Sequence, residues 1–189
     1  MPHAFSIAIL LGVIAAVPAW AQDMEPKAYS ASPVGATFLV SSAMRSTGSV
    51  VFDPTLPFTD VKAEINSGVV GVGTTFGLFG KLALVSATLP YSWGEISGQV
   101  AEDARTIHRS GLADARAKLS INLVGNPAMR IRDFVRAKPR TIVGASVTMV
   151  APSGEYDQTK LINLGTNRWA FKPEVGVSVP LGRWDLDAY

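Results

Sequence analysis

The chain has 189 residues, of which 17% are charged and 48% apolar, and its net charge is +2. That length suits one domain of ordinary size, and that balance excludes both intrinsic disorder and the strongly basic surface of a nucleic-acid binder. Cysteine is absent, which removes disulfides, zinc–thiolate sites and cysteine nucleophiles together.

Residues 1–21 read as a secretory signal peptide. Phe5 to Ala19 are nearly all apolar, no charged residue occurs before Asp23, and Ala19-Trp20-Ala21 is a small-x-small cleavage site before Gln22. The run is too short for a comfortable membrane span. Its n-region, MPH, lacks the usual lysines, so an uncleaved helix or anchor is the competing reading. The mature chain is expected to begin at Gln22, outside the cytoplasm. No later stretch approaches about 18 consecutive apolar residues, so any further membrane relation must come from strands.

Residues 22–33, QDMEPKAYSASP, form a polar leader, and residues 34–189 form the domain proper. VGATFLVSSAM, from Val34, is extended. A loop over 46–62 is centred on DPTLPFTD, whose prolines and aspartates break strands. AEINSGVVGVGTTF (63–76) and KLALVSATLPYSW (81–93) are strands joined by a short turn, and a long polar loop is predicted over 94–110, with room for a helical turn in AEDARTIH. DARAKLSINL (114–123) alternates almost without error: Asp114, Arg116, Lys118, Ser120 and Asn122 on one parity, Ala115, Ala117, Leu119, Ile121 and Leu123 on the other.

In GNPAMRIRDFVRAKPR, Asn126 and Pro127 suit a cap and first turn, Met129, Ile131, Phe134 and Val135 share one side of a short helix, and Arg130, Arg132, Arg136 and Lys138 crowd the others. TIVGASVTMVA (141–151) is a strand, and a second long loop covers 152–167. RWAFKPEVGVSVP (168–180) alternates cleanly, Leu181-Gly182 turn the chain, and RWDLDAY begins a seventh strand.

About seven strands result, each long enough to cross roughly 25 Å of apolar membrane when tilted. In a soluble sandwich the apolar parity packs on a second sheet. In an outer-membrane barrel it faces lipid, and the polar parity faces the lumen. The signal peptide and the strand-only composition suit both. Three further features favour the barrel. Short turns (77–80, 181–182) alternate with long polar loops, although the 124–139 connection is long on the short-turn side. Aromatic residues sit near strand ends: Tyr91, Trp93, Trp169, Phe171 and Trp184. The polar parity carries both signs close together, as a wet lumen would, and as any solvated face would. Pro173 inside a strand counts against closure, since a barrel has no edge where a missing N–H is free.

YSASPVGATFLV, DPTLPFTDV, LPYSWGEISGQV, GLADARAKLSINLVGNPAM and NLGTNRWAFKPEVG resemble, in the same order and over nearly the whole mature chain, the bacterial outer-membrane "transporter" family of the phenol-degradation meta pathway. The resemblance implies an all-β, antiparallel outer-membrane β-barrel among outer-membrane lipid, delivered with the barrel-assembly machinery and taking part in uptake of aromatic or other hydrophobic compounds. It carries over no catalytic residue. The family pattern near 111 reads Gly-Leu-Gly-Asp-Pro, where this chain has Gly111-Leu112-Ala113-Asp114-Ala115, a less rigid turn. Family members continue for several strands beyond Tyr189 and bacterial barrels close with an even number, so a partial barrel, a fragment, is expected here.

Catalytic constellations are missing. His3 lies in the signal peptide and His108 in a polar loop, where solvation is its plainer role. No Gly-x-Ser-x-Gly elbow and no metal-ligand spacing occurs. Gly71-Val72-Gly73 lacks the rest of a nucleotide loop, and Glu155 with Asp157 suits a turn better than a weak calcium site. An enzyme, a metal and a cofactor are therefore not expected. The basic segment 130–140 is read as a cap at the periplasmic mouth, with an interfacial helix on anionic lipid as the alternative. The expected lumen-lining residues are Asp114, Arg116, Lys118, Asn122, Lys172 and Glu174, which would set the field along a diffusive path. A barrel remnant without transport and a soluble periplasmic sheet protein binding an apolar ligand are the competing readings.

Overall fold

The computed structural model describes residues 29–49, 58–100, 103–160 and 162–189. The signal-peptide reading and the first part of the leader lie outside them. Eight strands form one antiparallel sheet, an open half-barrel: β1 (Thr37–Ser49), β2 (Phe58–Leu78), β3 (Lys81–Val100), β4 (Asp103–Leu112), β5 (Arg116–Val124), β6 (Ile142–Val150), β7 (Ala170–Leu181) and β8 (Trp184–Ala188). A short helix, α1 (Ile131–Phe134), interrupts the connection between β5 and β6. The main path runs β1-β2-β3-β5-β6-β7-β8, with β4 paired to β3 alone.

The β2–β3 hairpin shows how local chemistry sets this geometry. Leu78 pairs with Lys81, and the two residues between them, Phe79 and Gly80, both have positive φ (49° and 74°). That is the type I′ turn, whose twist matches that of the flanking strands. Glycine adopts it at no steric cost, and Phe79 is carried along with its ring fully outside.

Between 94 and 110 the structure departs from the polar loop predicted there. β3 continues to Val100, and β4 runs back along it from Asp103 to Leu112. No helical turn forms over the described part of AEDARTIH. Polar composition is not evidence against a strand where both faces of a sheet meet water, and the period-two pattern of Glu95, Ser97 and Gln99 against Gly94, Ile96 and Gly98 is the better signal. The loop predicted over 46–62 is likewise shortened from both sides, by β1 to Ser49 and by β2 from Phe58.

Two strand prolines, Pro90 and Pro180, fall where a neighbour is missing. Pro90 pairs with Val69 on one side; on its other side β4 ends at Leu112 opposite Tyr91 and β5 begins at Arg116 opposite Thr88. Pro90 thus marks the gap where β3 exchanges one partner for another, and only its carbonyl is used, accepting from the Ala113 amide at 3.0 Å. Pro180 pairs with Asp185 of β8 but lies beyond the end of β6, and Pro173 pairs with Val147 of β6. At Pro90 and Pro180 the missing N–H therefore breaks no ladder on both sides.

Cross-strand partners share a face, so the register sorts every residue. One face carries Leu39, Val72, Ala87, Ala117, Met149 and Phe171 in one row, and Val85, Leu119 and Val147 in the next. Most of these are exposed, Leu39 by 85%, Phe171 by 64% and Leu119 by 48%, while Ala117 and Met149 are half-buried. The opposite face carries Thr75, Ser120, Asn122 and Ser146, all of them buried. A water-soluble sheet has the reverse arrangement.

Candidate functional site

The buried, concave face holds five of the six residues singled out in the sequence. Thr88–Arg116–Val150–Ala170, Ser86–Lys118–Thr148–Lys172, Leu84–Ser120–Ser146–Glu174 and Asn122–Gly144–Gly176 are successive cross-strand rows on it. Lys118 and Lys172 flank Thr148 in one row, and Glu174 stands in the next, its Oε2 3.2 Å from Lys172 Nζ. Glu174 is mostly covered and Lys172 is half exposed, so the pair presents its cationic end to the open space. Arg116, Lys118, Asn122, Lys172 and Glu174 thus form one polar strip across three strands.

Asp114 stands apart from that strip. It precedes β5, is buried, and spends its carboxylate on the loop over 151–167: Oδ1 accepts from the Gly154 amide at 2.9 Å, and Oδ2 from the Thr166 amide at 2.8 Å and its hydroxyl at 2.6 Å. Burial opposes its ionisation, but hydrogen bonds from Thr166, Gly154 and Ser153 outweigh that and hold the carboxyl below its ordinary range. The same loop is pinned by the Glu155 amide to the Leu112 carbonyl and by Arg109 Nε to the Ile162 carbonyl. Within it Asp157 makes a turn: Oδ1 takes the Thr159 amide and hydroxyl, and Oδ2 lies 3.2 Å from Lys160 Nζ. The Thr159 hydroxyl, then its amide, then Lys160 lower that carboxyl to about 2. Both oxygens of Asp157 therefore serve the turn.

The leader is where reading by strand pattern falls short. Tyr29 is 2% exposed and crosses the concave face, its hydroxyl 3.1 Å from Ser146 Oγ and 3.3 Å from the Glu174 carbonyl. Its ring lies on Gly144 and Gly176, which pair directly across β6 and β7; a Cβ at either position would run into it. Further along, Thr75 Oγ1 donates to the Pro33 carbonyl at 2.7 Å and accepts from the Ala36 amide at 3.0 Å, and the Val34 amide reaches the Met129 carbonyl at 2.8 Å. The signal was present in the sequence as a pair of facing glycines with nothing assigned to lie on them. His108 is exposed at the end far from this site, 3.7 Å from Glu95.

A curved antiparallel sheet, apolar outside and polar within, defines a segment of a β-barrel of the outer-membrane type. Residues 41–188 match the family described as "Putative MetA-pathway of phenol degradation", and the chain belongs to that family. No curated protein matches it. Among solved structures it is similar to an outer membrane channel from Pseudomonas putida F1, with a TM-score of 0.59 and 22% identity over 87% of this chain and 58% of that one. The chain therefore spans somewhat over half the length of that channel, and what the two share is the fold.

Proposed function

We propose that this chain forms wall and lumen surface of an outer-membrane channel through which small hydrophobic or aromatic compounds pass by diffusion. The observation that carries the reading is the inversion along β5, where Leu119 is 48% exposed and its neighbour Ser120 only 5%. The height of the apolar outer face supports the same reading. From the turn at Phe79 up β3 to Tyr91 the chain climbs about twelve residues, roughly 30 Å at about 3.3 Å per residue and a tilt near 40°. Tyr91 and Trp93 lie at its upper limit with their rings 6.1 Å apart. Above them the same face turns polar, with Arg45, Glu64, Glu95 and His108. Outer-membrane lipid would contact the band, and Arg116, Lys118, Lys172 and Glu174 would set the field along the path.

With the double substitution Arg116→Glu and Lys118→Glu, the full chain in planar bilayers is expected to shift ion selectivity toward cations. Unchanged flux and selectivity would overturn the lumen assignment. Release of the protein from membranes without detergent would favour a soluble ligand-binding sheet instead, and absence of liposome swelling with every solute would favour a barrel without transport.

A further inference from the structure

A cavity of about 210 Å³ lies between the leader and the concave face, lined in part by Ser32, Phe38, Leu82, Leu84, Ser120 and Asn122. Its roof is fixed by the hydrogen bonds of Thr75 to Pro33 and Ala36, and Phe38 is seated on Gly73, where a Cβ would collide with its ring. The space is therefore formed before any ligand arrives. Its most informative member is Asn122, 4% exposed, whose Nδ2 has no hydrogen-bond partner among the described residues. Buried polar groups are almost always paired, and leaving an amide donor unused in such a place is costly. The lining residues carry no formal charge.

We infer that this cavity is a binding subsite for one neutral, ring-sized molecule bearing a hydrogen-bond acceptor oxygen, which takes the Asn122 Nδ2 proton while its ring lies among Phe38, Leu82 and Leu84. The size is consistent: an apolar cavity of about 150 Å³ accommodates a benzene ring. The pattern of apolar walls with a few convergent polar groups is that of small-molecule sites generally. An uncharged lining selects a ketone or hydroxyl over a carboxylate, because a buried charge would be left without a partner. This inference rests on the concave face being the lumen, and it names what that lumen would hold.

The test follows the Asn122 side-chain amide by NMR in the full chain refolded into micelles, with cyclohexanone, methylcyclohexane and cyclohexanecarboxylate as probes. Cyclohexanone is expected to give a saturable shift of that amide, and the two others none. Asn122→Leu is expected to weaken cyclohexanone binding about tenfold or more without lowering the unfolding temperature, since it replaces an unpaired donor by an apolar group of like size. A non-saturable response, equal binding by Asn122→Leu, a preference for the carboxylate, or an amide that exchanges with bulk water and ignores all three probes would overturn the proposal. If the same sample conducts ions while the amide does not respond, the subsite falls and the channel stands. If it neither inserts nor conducts, both fall.

Discussion

β3 passes through two environments without changing its backbone. Below Pro90 it pairs with β5, and its outer residues are Val85, Ala87 and Leu89. Above Pro90 it pairs with β4, and the same parity carries Glu95 opposite Glu64 and His108. One strand, one register and one face thus change from apolar to ionic within a few residues, across the Tyr91–Trp93 pair. Hydrogen bonding does not distinguish the two regions; the side chains on the outer face do. The inner face differs as well: in the lower half the leader covers it and glycines make room, whereas Gly48 in the upper half of β1 has nothing within 4 Å of its missing Cβ.

That contrast can be broken most sharply at the outer face. Leu119→Arg places a charge in the middle of the apolar band and is expected to cost about 2–4 kcal/mol in a lipid-embedded barrel. Thr106→Arg, on the same face above the aromatic pair, is expected to cost almost nothing. Urea unfolding from liposomes measures both, and equal costs would mean that no membrane boundary lies between them. On the inner face, Gly144→Ala drives a methyl group into the Tyr29 ring and should cost about 1–3 kcal/mol, against little for Gly48→Ala. Thermal unfolding with Tyr29→Ala in the background sharpens the comparison, because the Gly144→Ala penalty should then disappear.

The smallest effect is confined to the loop held by Asp114. Folding lowers this carboxyl below its ordinary 3.8, so its support is fully present above that value and is lost as pH falls through the lowered pKa. The Gly154 and Thr166 amide resonances should stay unchanged from neutral pH down to about 5 and then titrate together with a midpoint below 3.8. Separate midpoints, or one at the ordinary value, would mean that the carboxylate does not hold the loop.

Much of the sheet was legible. The alternation of DARAKLSINL and RWAFKPEVGVSVP groups Arg116, Lys118 and Asn122 on one side of β5 and Lys172 and Glu174 on one side of β7, and the register then puts both groups on the same face of the sheet. The extension through 94–112 was read as loop because its hydrophobic contrast is weak; the alternation of Glu95, Ser97 and Gln99 with Gly94, Ile96 and Gly98 hints at a strand, and the residue-by-residue pairing of β3 with β4 establishes it. Asp114 has the same parity as Arg116, yet its surroundings come from Gly154 and Thr166, forty and fifty-two positions away. No local pattern encodes such a contact. Tyr29 reaches Ser146 across a still longer separation.

What the sequence determined by itself is periodicity: which residues alternate, where turns break them, and which side chains must share a face, since a strand offers only two directions. Which of those faces is enclosed was decided only by tertiary structure. Curvature of the sheet and the leader laid across it bury Ser120 and Asn122 and leave Leu119 outside, because burial depends on what the rest of the chain packs against and not on the polarity of the residue packed.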